Sequence, residues 1–244
     1  MMRLSLWKSA LVLVAIVLAA GCGGEQTENT AGAEAETAVT DIARSAPQNA
    51  KVILENDFVR VAEFALSPGD SLPTHFGRNR AVYTLTDFQA RFTSDGADHV
   101  IDNTKGTVHW HPAQEHSLAN IGETEALFVV VERKGSRLLE APIKGEEQEI
   151  SHIAPEHSRV LFDNEFIRVA EFVIAPGEIV PSHKGTSRIM YTVTPARLKF
   201  QSDRFGEHED DFQKGEAHWH DLDTHSVTNV GENEAVFMVF EWKK

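Results

Sequence analysis

From about residue 50 onward, apolar positions recur in short runs with partial period-two alternation. Examples are Phe58-Val59-Arg60-Val61-Ala62-Glu63-Phe64 and, further on, Phe166-Ile167-Arg168-Val169-Ala170-Glu171-Phe172. β-Branched and aromatic side chains dominate these runs, and a strand sends successive side chains to opposite faces, so each run predicts a strand. Pro68-Gly69 and Pro176-Gly177 combine a fixed φ with a residue tolerant of positive φ, Ser94-Asp95-Gly96 marks a hairpin tip, and Gly122 and Gly231 read as further turns. No window outside the N-terminal segment sustains a helical apolar period over three turns. The pattern therefore predicts an all-β protein of short antiparallel strands closed into a barrel or jelly roll, with little helix.

The pattern occurs twice. Val52 to Lys134 matches Val160 to Lys243, with one residue inserted between strands of the second copy. The match is densest where Lys105-Gly106-Thr107-Val108-His109-Trp110-His111 returns as Lys214-Gly215-Glu216-Ala217-His218-Trp219-His220. Two related barrels, residues 49–134 and 159–244, are the consequence, and 244 residues suffice for a core in each. Residues 135–158 between them read as a linker over the surface, with His152 and His157 solvated.

The N-terminus differs in kind. Arg3 and Lys8 precede an apolar run from Ala10 to Ala20 that is too short to span a bilayer, the pattern of a signal peptide over residues 1–21. Ala19-Ala20-Gly21-Cys22 resembles a bacterial lipoprotein cleavage and lipidation site. Cys22 is the sole cysteine, so an intrachain disulfide is excluded and an acyl acceptor is the expected role. Residues 22–48 are small and polar and read as a flexible tether. The expected location is the bacterial cell envelope, lipid-anchored, facing the periplasm or the exterior. A formal charge of −14 repels nucleic acid and anionic head groups, so attachment rests on acyl chains.

Eight of the twelve histidines form matched pairs across the repeat: His75 with His183, His109 with His218, His111 with His220, and His116 with His225. On a strand, His109 and His111 share one face while Trp110 takes the other, so one metal reaches both imidazoles only at a bend or bulge. Gly69 with His75 after five intervening residues, Gly106 with Pro112 after five, and His116 with Asn120 after three resemble the two motifs of the cupin superfamily. The second copy repeats Gly177 to His183 and His225 to Asn229, with Asp221 in place of the proline. The chain thus resembles a bicupin, which implies two tandem cupin barrels and, in each, a metal held by two histidines of a His-x-His pair, a glutamate and a later histidine. The motifs are degenerate: the second histidine is Gly77 or Gly185, and the glutamate position falls near Ala81-Val82 or Ile189-Met190.

Two readings of the histidines follow. A divalent transition metal (Zn, Fe, Ni, Mn or Cu) is held by His75, His111 and His116, and by His183, His220 and His225, with His109 and His218 as alternates. Otherwise they are interior polar residues paired with carbonyls or with Asn120 and Asn229. Arg80, Tyr83, Trp110 and Asn120, with Arg188, Tyr191, Trp219 and Asn229, are candidates for a ligand pocket, the arginine clamping a small anion. Strand parity allows only one of Arg80 and Tyr83 to face a cavity. A phosphate loop, a nucleophile elbow and a redox cysteine pair are all missing from the sequence. The expected function is binding of a small polar or anionic molecule by an envelope bicupin. The alternatives are a metal-dependent dioxygenase or isomerase, and a non-catalytic scaffold whose edge strands pair two copies.

Overall fold

The computed structural model describes residues 42–135 and 150–243, the side chains of residues 44 and 45 excepted. The signal peptide, Cys22, most of the tether and residues 136–149 of the linker lie outside the described residues. No helix among the described residues is long and apolar enough to cross a membrane.

The first copy comprises β1 (Ala50–Glu55), β2 (Val59–Leu66), β3 (Ser71–Gly77), β4 (Arg80–Thr84), β5 (Phe88–Ser94), β6 (Ala97–Asn103), β7 (Val108–His111), β8 (Gln114–Asn120) and β9 (Ala126–Arg133). The second comprises β10 (Ser158–Asp163), β11 (Ile167–Ile174), β12 (Ile179–Gly185), β13 (Arg188–Thr192), β14 (Ala196–Ser202), β15 (Gly206–Phe212), β16 (Ala217–His220), β17 (Asp223–Asn229) and β18 (Ala235–Trp242). Each copy folds into two antiparallel sheets: five strands ordered β1-β2-β9-β4-β7 facing four ordered β3-β8-β5-β6, and β10-β11-β18-β13-β16 facing β12-β17-β14-β15. The predicted jelly-roll architecture is present twice.

Two interior clusters and one shared cluster hold it together. Phe64, Leu66, Phe128 and Val130 point into the first barrel, and Ile174, Leu198, Phe237 and Val239 into the second. The opposite faces of the same five-stranded sheets, carrying Val59, Val61, Val129 and Val131 on one side and Ile167, Val169, Met238 and Phe240 on the other, form a common core between the barrels. This explains why β9 and β18 read as continuous apolar runs, since both their faces are buried. The interface has approximate two-fold symmetry. Phe58 stacks on Trp219 at 5.5 Å and Trp110 on Phe166 at 5.3 Å, while Tyr83 meets Tyr191 edge-on at 6.4 Å.

The structure adjusts the sequence boundaries. The repeat begins earlier than Val52: α1 (Ile42–Ser45) and α2 (Ile150–Ile153) occupy equivalent places, followed by Ala46-Pro47 and Ala154-Pro155. Ile42 and Ala46 are buried against the first barrel, so the expected tether ends before residue 42, because its only large aliphatic side chain near this end finds apolar surface. His157, expected in solvent, is 8% exposed, and its Nδ1–H donates to the Val173 carbonyl at 3.1 Å. The inserted residue lies at a hairpin tip, where Asp95-Gly96 becomes Asp203-Arg204-Phe205. Asp95 and Gly96 have φ of 50° and 74°, the conformation a two-residue hairpin requires. Gly122 and Gly231 adopt no positive φ. They are constrained by space, since a Cβ on Gly122 would stand 3.0 Å from the Gln89 nitrogen.

Candidate functional site

Each barrel interior is reached by a matched arginine, Arg80 or Arg188, and a set of histidines, and strand parity explains which. In β4, Ala81 and Tyr83 face the other barrel, while Arg80 and Val82 face inward. In β7, Trp110 faces outward to the shared core and His109 and His111 inward. His75 arrives by an irregularity. Between Leu72 and His75 the register of β3 against β8 slips by one residue at Pro73, a bulge that turns His75 inward to sit directly across from His116, ring centroids 4.2 Å apart. Pro181 plays the same part for His183, whose ring lies 4.4 Å from that of His225.

The centre of the first site is the guanidinium of Arg80, 4% exposed. Nη1 donates to the Arg78 carbonyl at 3.0 Å and the Pro112 carbonyl at 3.4 Å, and Nη2 donates to His116 Nε2 at 3.0 Å. The His116 Nδ1 proton points to the Gln114 carbonyl at 3.3 Å, and that of His75 to the Pro73 carbonyl at 2.8 Å, which leaves both Nε2 atoms as acceptors. Gly77 makes this possible: a Cβ there would lie 2.3 Å from Arg80 Nη1 and 2.7 Å from His116 Cε1. Gly185 clears the same space for Arg188, whose Nη2 donates to His225 Nε2 at 3.2 Å. The glycine at the second-histidine position thus gives room to an arginine.

These imidazoles are neutral at pH 7. Burial, then the nearby Arg80 charge, lowers His111 to about 4 and His116 to about 3, and burial lowers His75 too. In the second barrel burial pulls His183 down to about 4 and His220 to about 3. Arg80 is lowered by burial to about 10 and remains a cation. The site is a buried positive charge in a ring of neutral acceptors, walled by Phe64, Leu72, Phe88, Phe92 and Phe128, in a cavity of about 730 Å³ counted to its open mouth.

Other expected site residues lie elsewhere. Tyr83 and Tyr191 belong to the inter-barrel core, with the Tyr191 hydroxyl donating to Glu63 at 3.3 Å. Trp110 and Trp219 are stacked in that interface. Asn120 Nδ2 donates to the carbonyls of Leu66 and Thr124 at 2.9 and 2.8 Å while its Oδ1 accepts from Gly122, and Asn229 makes the matching bonds to Ile174, Asn233 and Gly231. These six residues are scaffold, spent on main chain or on apolar packing. Among the residues lining the first cavity, Phe92, Asn103 and Glu132 carry no repeated-histidine signal and escaped sequence reading. The one usable clue was comparison of the two copies, which differ at Asn103 and Phe212.

The features described define a class: a duplicated antiparallel barrel with a cationic, histidine-lined interior. Neither a protein-family model nor a curated protein sequence matches the chain. Solved structures do. A tryptophan-to-phenylalanine variant of oxalate decarboxylase from Bacillus subtilis aligns at TM-score 0.58 and 17% identity over 83% of this chain and 71% of that one. AerE from Microcystis aeruginosa aligns at TM-score 0.54 and 13% identity over 80% of this chain and 98% of that one. A cupin domain from Bordetella pertussis aligns over 35% of this chain and 92% of its own, at 25% identity and TM-score 0.34. At these identities the likeness is one of fold, and the fold is the cupin fold, twice in tandem.

Another structure of the Bacillus enzyme is described by its Mn(II) centres, so the fit of a metal to the present residues bears testing. It is poor. Among the described residues no three His, Cys, Asp or Glu side chains converge as a ligand set. His116 Nε2, the nitrogen a metal would need, already accepts from a guanidinium, and a divalent ion beside that buried cation would meet strong repulsion at low dielectric. His109, the alternate ligand, is engaged through Nε2 with the Thr107 hydroxyl at 3.1 Å. The expected three-histidine set is therefore not what these residues build, because Arg80 and Arg188 stand among them.

Proposed function

We propose that the chain is an envelope-anchored bicupin that binds a small carboxylate with an apolar body inside the barrel, a buried guanidinium taking the place of a metal cation. One observation carries this reading. Arg80 is buried and charged, and among the described residues no carboxylate makes a direct ion pair with it, the Glu132 carboxylate opposite it on β9 acting on it electrostatically. A buried charge without a directly bonded counter-ion is costly, and an anion entering the cavity to bond the guanidinium would relieve that cost. The arginine has donor capacity left, since Nε makes no hydrogen bond among the described residues, and the neutral imidazoles favour polar contact without repelling a cationic neighbour. The phenylalanine walls suit the apolar remainder of the ligand.

Titration calorimetry at pH 7 with benzoate, and with benzamide as its uncharged analogue, tests the reading. Benzoate binds and benzamide does not, and Arg80→Gln, which keeps donors but removes the charge, weakens benzoate at least tenfold. Equal binding of both compounds, or an unaffected Arg80→Gln, sinks it.

The anchor is inferred from sequence, from the small residues before Cys22 and the apolar run preceding them. Cys22→Ser should move the protein from the membrane fraction to the soluble fraction of its native host. Full membrane retention of the variant argues against lipidation.

A further inference from the structure

The two barrels share the arginine and all four histidines, but their interiors differ in what fills them. Asn103 ends β6 of the first barrel opposite Phe88, with its Nδ2 turned back to the Ile101 carbonyl at 3.3 Å. The equivalent residue of β15 is Phe212, opposite Ala196 and 3% exposed. The Phe212 ring stands edge-on to His218 at 5.0 Å and to Phe237 at 5.4 Å, and lies 6.2 Å from Phe200. It occupies the histidine end of the second barrel. In consequence the first cavity is lined by His75, His109, His111 and His116 together with Arg80, whereas the second is lined by His183 and His225 but by neither His218 nor His220. The Nε2 atoms of His218 and His220 are themselves buried without a hydrogen-bond partner, although the His218 side chain is partly exposed and its Nε2 lies 3.5 Å from the Glu216 carboxylate. Met190, where the first barrel has Val82, adds bulk to the same interior.

The guanidiniums also differ in their company. His225 Nδ1 donates to Asp223 at 2.8 Å, and the same carboxylate lies 3.8 Å from Arg188 Nη1. Burial alone would raise Asp223, but its bond to His225 and the neighbouring Arg188 outweigh that and hold it ionised, at about 2. The first barrel has the neutral Gln114 at this position. Arg188 thus has a carboxylate within ion-pair distance, whereas Arg80 has the electrostatic influence of Glu132 on β9. Lys184 and Arg168, with Glu241, line the second cavity as well, so its wall is not short of positive charge. Volume at the histidine end, rather than net charge, separates the barrels.

Resting on the carboxylate reading above, we infer that the first barrel alone is the binding barrel and that Asn103, against Phe212, is the residue that decides it. The second barrel keeps a cavity of comparable size, about 780 Å³ counted to its open mouth, but Phe212 packed on His218 separates that cavity from the His218 and His220 end, and this barrel supports the first through the shared core. Calorimetric stoichiometry on the full-length protein with benzoate as probe decides the matter. One site per chain is expected; Asn103→Phe, and the milder Asn103→Leu, reduce affinity at least tenfold while the melting curve keeps its single transition. Phe212→Asn combined with Asp223→Gln raises the stoichiometry toward two. Two sites in the unaltered protein, or undiminished binding by both Asn103 variants, overturn this inference and leave the carboxylate reading intact. No binding at all by the unaltered protein removes the carboxylate reading and this inference with it.

Discussion

Acidification from pH 6.5 to about 4.5 is expected to remove several kcal/mol of folding stability, before most carboxylates are protonated. The sign follows from the buried imidazoles. A histidine unfolds into water with a pKa near 6.5, whereas His111 and His183 in the fold sit at about 4 and His116 and His220 at about 3. Between these limits the unfolded chain binds more protons than the folded one, so stability falls as pH falls, and the loss stops once the folded pKa is passed. Each such group contributes about 2 kcal/mol over the two pH units. Histidines within one barrel interact, so their effects sum to less than the count suggests. Against a typical domain stability of about 5–15 kcal/mol, this is enough to bring the acid transition close to pH 5. The lowered carboxyls of Glu55 and Asp163, each held by a lysine and an arginine partner, release their contribution only below about pH 4.5. Urea unfolding at pH 7.5, 6 and 5 measures the slope. His116→Asn together with His225→Asn should flatten it, and a stability unchanged between pH 7.5 and 5 would contradict the buried neutral state.

Phe240→Ala is expected to cost about 3–5 kcal/mol and to destabilise both barrels at once. Phe240 is fully buried, and it sits in the cluster that the two five-stranded sheets share rather than in either barrel interior. Its neighbours on the facing sheet, Val59, Val61, Val129 and Val131, are themselves at 0% exposure and cannot collapse readily into the space left behind. Because the outer faces of the two five-stranded sheets are buried against each other in one cluster, neither barrel is expected to retain its own stability once this interface loosens. Tryptophan fluorescence reports the interface through Trp110 and Trp219, and far-ultraviolet circular dichroism reports the strands. Both should move together to a lower midpoint in a single transition. Two separated transitions, with only the second barrel shifted, would show the barrels to be thermodynamically independent.

Much of the architecture was legible because it is written in local periodicity. Alternation in β2 and β11, the proline-glycine turns and the repeat itself pointed to paired jelly rolls, and the parity of β4 and β7 already separated Arg80 from Tyr83 and His109 and His111 from Trp110. What parity lacked was the destination of the second face. Tyr83 and Trp110 could be assigned to a pocket only by treating each barrel as solitary, and they belong instead to an interface that exists because two copies pack together. The early limit of the repeat was missed for a different reason: Ile42 and Ile150 are single apolar residues in polar surroundings, too sparse to register as a pattern until the barrel surface beneath them is in view.

Hydrophobic alternation, the duplication and the matched histidines are properties of neighbours along the chain, and the sequence by itself determined from them an all-β tandem protein with imidazoles inside each barrel. Only the tertiary structure decided what those imidazoles surround. The missing ligand at Gly77 and Gly185 reads in sequence as a loss, whereas in space it is room for a guanidinium brought from the next strand, three residues onward. That Phe212 covers the histidine end of one cavity where Asn103 leaves that of the other accessible depends likewise on packing among distant strands, which no local pattern encodes.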